Sequence, residues 1–141
     1  MENNAVFIDT AYVYALINPH DQWHEKAMEW RLKIKTDERS LMTTEFILAE
    51  IADGLSAVKF RRAGFQAIHI LQNNPLVKII PATSNLFLQA LELYGQRPDK
   101  NWGLTDCTSF VVMTENNITD ALTTDDHFRQ AGFTALLAEY K

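Results

Sequence analysis

Cysteine is nearly absent: Cys107 is the only one in 141 residues. That excludes a disulfide framework and a cysteine-rich zinc site. A chain of this length needs neither, because it buries roughly two thirds of its unfolded surface on folding. With five glycines and four prolines, it contains no Ser/Gly-rich linker, repeat or low-complexity tract. No apolar run approaches the roughly 18–20 residues that span a bilayer. The start, MENNAVFIDT, has neither the basic region nor the apolar core of a signal peptide. A cytoplasmic, reducing setting with no membrane partner is the expectation. Basic residues are in the minority, 13 against 18 acids for a net charge of −5. That balance speaks against a protein whose main task is to coat duplex DNA, without excluding nucleic acid at a local site. What is present is an ordinary globular balance, 47% hydrophobic and 22% charged, in a single domain over 1–141.

Five short β-like runs alternate with helical stretches, the pattern of an α/β fold with a mostly parallel sheet. Ala5–Ile8 is a continuous apolar run, as suits a strand buried on both faces, and it ends at Asp9. Thr10 is placed to cap a helix through Leu16, closed by Asn18-Pro19. A second helix begins at Asp21, with Trp23, Ala27, Trp30 and Ile34 at helical spacing. Leu41–Thr43 reads as a strand, and Thr43 or Thr44 as the cap of a helix over EFILAEIADGLS. Further elements are a helix over about Arg61–Gln72, a strand Val77–Ile80, and helices over Ser84–Tyr94 and from Leu104 to Glu115. Ala121–Thr124 is a strand ending at Asp125, His127–Ala131 a short helix closed by Gly132, and Phe133–Leu137 the last strand.

Asp9 and Asp125 each follow a strand directly, and ligands of open parallel sheets bind beyond the carboxyl ends of strands. Taken singly, each is also an ordinary turn or cap residue, and Asp106 is also an acid favoured in a helix first turn. Glu50 sits among Phe46, Ile47 and Gly54 on its helix, so its carboxylate is either solvated at a rim or committed to a cation. Glu45 and Asp53 read as a first-turn acid and a solvent-facing acid. Two like charges about 5 Å apart cost roughly 3 kcal/mol at an effective dielectric of ~20. Four converging carboxylates therefore call for protonation or a divalent cation. Oxygen ligands select hard ions, Mg²⁺ or Mn²⁺, which serve phosphodiester hydrolysis.

The segments Asp9-Thr10, Thr44–Glu50, Trp102–Phe110 and Ala121–Phe128, in that order, resemble the PIN domain, and within it the VapC-like ribonucleases of toxin–antitoxin pairs. The resemblance spans essentially the whole chain. It implies a three-layer α/β/α sandwich around a central, mostly parallel five-stranded sheet. It also implies a Mg²⁺- or Mn²⁺-dependent endoribonuclease, an RNA substrate, a cognate antitoxin and a homodimer. The family's acids would fall on Asp9, Glu50, Asp106 and Asp125. Asp9 would be the central metal ligand, Asp106 and Asp125 would complete it, and Glu50 would act directly or through water. Its small hydroxyl positions would fall on Thr10, Thr105 and Ser109, supporting waters or carboxylates. Cleavage would leave 5′-phosphate and 3′-hydroxyl ends. Two departures stand out: Ala11 replaces a Ser or Asn, and Asp126 adds an acid beside Asp125, which leaves open which of the two faces the metal.

Other features have plainer readings. His20 and His24 have a zinc-like spacing but no third His or Cys near them, and read as capping or surface residues. Lys59, Arg61 and Arg62 form the densest basic cluster, either a solvated face or a phosphate track toward the acids. Arg97 and Lys100, near Trp102, are a second such place. Trp102 could stack a base or anchor its loop, while Cys107 reads as a buried small residue. The alternatives to a toxin are a housekeeping RNA-processing nuclease and a PIN-like fold kept for binding without cleavage. A phosphoacceptor receiver domain is set aside, because the third strand ends Ile79-Ile80-Pro81-Ala82 without an acid.

Overall fold

Val6–Ile8 form β1, and all three side chains are at most 1% exposed. Successive side chains of a strand point to opposite faces, so this run is covered on both sides, as its unbroken apolar character predicts. The computed structural model of the chain describes residues 4–138. In it β1 is the centre of a five-stranded, all-parallel sheet of order β3-β2-β1-β4-β5. The other strands are β2 (Leu41–Thr44), β3 (Val77–Ile80), β4 (Asp120–Leu122) and β5 (Thr134–Ala135). Seven helices connect them: α1 (Thr10–Ile17), α2 (His24–Thr36), α3 (Glu45–Gly54), α4 (Val58–Asn73), α5 (Ser84–Gln96), α6 (Leu104–Glu115) and α7 (Asp126–Gln130).

This is the expected α/β layering, with local differences at element ends. Asp9, not Thr10, is the N-cap residue of α1, and Thr10 is its first helical residue. Thr44 rather than Thr43 caps α3, its hydroxyl accepting from the Ile47 N–H at 3.0 Å. Thr43 instead donates to the Ile8 carbonyl at 2.9 Å, a side-chain tie between β2 and β1. The last strand is only Thr134–Ala135, because the chain turns into a 3₁₀ segment at Leu136–Ala138, where Leu136 and Leu137 become buried core. In β4, Asp120 joins the strand opposite Val6, its carboxylate paired with Arg39 at 2.9 Å. Gly132 follows α7 with φ +96°, the left-handed conformation that glycine supplies cheaply at a helix end.

The strand order reverses at β1 and β4: β2 and β3 lie on one side of β1, β4 and β5 on the other. The crevice beyond the carboxyl ends of β1 and β4 is therefore the place where connections diverge and a ligand can sit. An aromatic cluster fixes the loops that enter it. The Phe110 ring of α6 meets Phe128 of α7 and Trp102 edge-on, both at 5.0 Å, and Phe128 lies 6.4 Å from Phe7 of β1. Each such pair contributes about 1 kcal/mol beyond its buried area, and together they tie α6 and α7 to the central strand.

Candidate active site

Four acids enter the crevice from four elements. Asp9 ends β1, Glu50 lies on α3, Asp106 is the third residue of α6, and Asp125 caps α7. Asp9 is only 8% exposed, and its Oδ2 accepts from the Thr123 hydroxyl at 2.7 Å. Burial pushes its carboxyl up from 3.8 to about 7; the Thr123 hydroxyl and the Thr10 backbone oppose that rise, while the charges of Glu50 and Asp106 add to it. A carboxyl held so far above its usual range is a group short of positive charge.

The remaining acids are held in a connected network. The Asp125 N–H donates to Thr123 Oγ1 at 3.0 Å, and Asp125 Oδ1 in turn accepts from the His127 N–H at 2.9 Å. The His127 ring then bridges two carboxylates, its Nδ1 lying 2.9 Å from Asp106 Oδ2 and 3.4 Å from Asp125 Oδ1. Asp106 Oδ2 also accepts from the Gly103 N–H at 3.1 Å, so the first turn of α6 holds its own acid in place. Glu50 is exposed, yet its Oε1 accepts a short hydrogen bond from the Thr10 hydroxyl, and its helix is tied to α1 by Tyr14 OH on the Glu50 carbonyl at 3.0 Å. In Glu50, Asp106 and Asp125, one carboxylate oxygen is anchored and the other meets no donor among the described residues. Ligand atoms of Asp106, Asp125 and His127 all lie within 4.8 Å of one another.

The fold gathers some of the expected site residues and leaves others apart. Asp106 and Asp125 meet at His127; Asp9 is linked to Asp125 through Thr123 and feels the charges of Glu50 and Asp106, and neither Asp9 nor Glu50 joins that cluster of ligand atoms. Asp126 points elsewhere, 68% exposed and bonded to Gln130 at 3.1 Å. Thr10 touches an acid. Thr105 makes no side-chain hydrogen bond among the described residues, its carbonyl receiving the Thr108 hydroxyl at 2.6 Å. Ser109 is fully buried one turn after Asp106, with its Oγ unpartnered. Lys59, Arg61 and Arg62 are exposed on the first turns of α4, with Arg61 donating to the Ser56 carbonyl at 3.1 Å. Glu45 accepts from the Ala82 N–H at 2.8 Å. His24 Nδ1 lies 2.6 Å from the Ala15 carbonyl, Trp102 is buried with its Nε1–H on Gln130 at 3.1 Å, and Cys107 is buried, so all three are packing features. Sequence reasoning passed over Thr123 and His127. Their signal was spacing: each lies two residues from Asp125, where a turn folds side chains back on the strand end.

Comparison with known proteins places the family and the fold. The PIN domain family profile matches residues 6–134. The chain is 30% identical over 135 residues to the "23S rRNA-specific endonuclease VapC20" of Mycobacterium tuberculosis, covering 95% of this chain and 99% of that protein. The crystal structure of M. tuberculosis VapC20, described as a "Sarcin-Ricin loop cleaving toxin", superposes with a TM-score of 0.80 at 27% identity, over 92% of this chain and 97% of that one. VapBC2 from Rickettsia felis, bound to a DNA fragment from its promoter, shares the fold at TM-score 0.66 and 16% identity, covering 92% and 96%.

Proposed function

The chain belongs to the PIN domain family, and on that basis we propose that it is a divalent-metal-dependent endoribonuclease acting as the toxin of a toxin–antitoxin pair. The observation that supports this reading is the linked set of acids where the strand order reverses: Asp106 and Asp125 share the His127 ring, Asp125 and Asp9 share Thr123, and Asp9 feels the charges of Glu50 and Asp106. The donor set fits a hard cation: carboxylate oxygens predominate, and three of the acids keep one oxygen without a donor. When bound, Mg²⁺ or Mn²⁺ supplies charge neutralisation and a water of lowered pKa for attack on phosphorus.

The chain's own residues prepare that chemistry. Asp9, Asp106 and Asp125 would hold the cation, and Glu50 would act on it directly or through water. An adjacent cation would favour the ionised form of the Asp9 carboxyl, which burial otherwise raises to about 7. Thr123 orients Asp9, Thr10 orients Glu50, and His127 keeps Asp106 and Asp125 in register, the role that outer partners of metal ligands commonly play. The free hydroxyl of Ser109 stands one turn from Asp106. Hydrolysis on this plan leaves 5′-phosphate and 3′-hydroxyl ends. Lys59, Arg61 and Arg62 offer positive charge to RNA approaching an otherwise acidic face.

A homodimer and a cognate antitoxin belong to the same proposal. Exposed apolar side chains on α4 (Phe65 72%, Ile70 65%) and α5 (Leu88 60%) supply surface that partners would cover. No helix among the described residues is long and apolar enough to cross a membrane, and we assign the protein to the cytoplasm. The M. tuberculosis relative makes ribosomal RNA the first substrate to try. Purified protein is incubated with labelled rRNA and single-stranded RNAs in Mg²⁺, Mn²⁺ or EDTA, beside Asp9→Asn. The expected result is cleavage that needs metal and disappears in the variant. Folded, antitoxin-free protein that cuts none of these RNAs with either metal would overturn the reading.

A further inference from the structure

We propose that the loop joining α5 to α6 forms a nucleotide subsite beside the acid cluster, with Lys100 facing a phosphate of the RNA, Arg97 bracing the loop and Tyr94 stacking on the base. This rests on the RNA-cleaving reading above and extends it to a substrate-contacting surface. A cleft of about 480 Å³ opens there, lined by Tyr94, Arg97, Pro98, Lys100, Asn101 and Trp102. That is within the range of small-ligand pockets, roughly 300–1,000 Å³, and ample for one nucleotide.

Three features suit the loop to this task. It is built in advance. Arg97 forms two parallel bonds of 3.0 Å to Asp99 and lies 5.0 Å over the Trp102 ring, and the Lys100 N–H closes a turn on the Arg97 carbonyl at 3.1 Å. Trp102 is pinned by Gln130 and by the Phe110 ring. Second, the loop is attached to the reacting centre. Trp102 precedes Gly103, whose N–H holds Asp106 Oδ2 at 3.1 Å. At about 3.8 Å per residue, the Lys100 backbone lies within roughly 11 Å of Gly103. Third, its charge is available. Asp99 is occupied by Arg97, while the Lys100 ammonium has no hydrogen bond or close ion pair among the described residues. Tyr94 is 51% exposed and presents a ring on which any base can stack.

The basic cluster of α4 is less suited to seat a nucleotide. Its cleft is about 180 Å³ and lined by Ala52, Leu55, Gly64, Phe65 and Ile68, with Arg61 bonded to Ser56 and Lys59 lying 4.9 Å over Phe60.

The test measures binding of a short labelled single-stranded RNA by fluorescence anisotropy in EDTA across a salt series, alongside Mn²⁺ affinity by calorimetry and cleavage kinetics. Lys100→Ala should weaken RNA binding several-fold and lower the salt slope by about 0.7, the value for one lost single-strand phosphate contact. Tyr94→Ala should weaken it about fivefold or more. Both should raise KM with kcat and Mn²⁺ affinity unchanged, and Lys100→Arg should restore binding. If Lys100→Ala and Tyr94→Ala bind RNA within twofold of wild type with the full salt slope, the subsite is overturned while the nuclease reading stands. Binding that disappears in Lys59→Ala alone overturns the subsite equally. Wild-type protein that binds Mn²⁺ but no RNA overturns both.

Discussion

Asp9→Asn should make the metal-free protein more stable at alkaline pH while abolishing its response to metal. The Asp9 carboxyl is almost wholly buried and is raised from 3.8 to about 7. A group raised in the folded state holds its proton longer there than in the unfolded chain. Below about pH 4 both states are protonated and nothing is lost. Between about pH 4 and 7 the unfolded chain releases its proton first, so stability falls by about 1.4 kcal/mol per pH unit. Above pH 7 the loss levels off near 4 kcal/mol, about three units' worth. An Asn amide oxygen can still accept the Thr123 hydroxyl bond, which is 2.7 Å long in the native protein, so most of that loss should be recovered. In EDTA at pH 8 the variant should gain about 2–4 kcal/mol, which for a chain of this size is roughly 6–14 °C in Tm. The gain should vanish near pH 4. Adding Mn²⁺ at about 100 times its Kd should stabilise wild type by about 2.7 kcal/mol and leave the variant unmoved. Thermal melts across pH, with and without Mn²⁺, read all of this. A variant no more stable at pH 8 than at pH 4, relative to wild type, would refute the claim that Asp9 is an uncompensated buried charge.

Other perturbations address the supports of the site. His127→Ala should lower Mn²⁺ affinity roughly 10–100-fold in calorimetry. His127→Asn, which keeps an N–H near the Nδ1 position, should lie closer to wild type, and equal losses in both would argue against the bridging role. Thr123→Val removes the donor to Asp9 and leaves the Asp125 N–H without its 3.0 Å partner; a loss of about 1–3 kcal/mol is expected in denaturant melts. Gly54→Ala would place a Cβ 1.7 Å from the Tyr14 hydroxyl oxygen, breaking its bond to the Glu50 carbonyl. That oxygen is the exposed end of a side chain that can swing aside, so the lost bond (about 0.5–1.5 kcal/mol) and the helix gain of at most ~1 kcal/mol should nearly offset; a fall in Tm of more than a few degrees would contradict the packing described. Phe110→Ala, at a residue 3% exposed, should cost about 3–5 kcal/mol and loosen the start of α6.

The central strand and its terminal acid were legible in the sequence, because Ala5–Ile8 is apolar without alternation and only a strand covered on both faces tolerates that. Asp9 follows that strand as read, whereas β4 stops at Leu122 and Asp125 lies three residues beyond it, as the cap of α7. Glu50 stood out as a carboxylate among apolar helical neighbours, whereas Asp106 lies in a helix first turn, where an acid has ordinary explanations, and family resemblance singled it out. Between Asp125 and Asp126 the sequence favoured Asp125 as nearer the strand end without deciding it, since the turn sets their directions: Asp125 meets His127 and Thr123, and Asp126 meets solvent and Gln130. The two-residue spacing of Thr123 and His127 from Asp125 records their local bonds to it, but not their second partners, Asp9 and Asp106, which lie on other elements. The first turn of α4 was missed for a simpler reason. Val58 is 91% exposed, and Ala57 offers no side-chain cap to mark the start.

End-group analysis of the cleaved RNA tests the central claim most directly. Attack by a metal-activated water predicts 3′-hydroxyl and 5′-phosphate termini, formed in Mg²⁺ or Mn²⁺ and not in EDTA. Termini bearing 2′,3′-cyclic phosphate, formed equally in EDTA, would show that the ribose hydroxyl attacks without a metal and would contradict the account of the four acids.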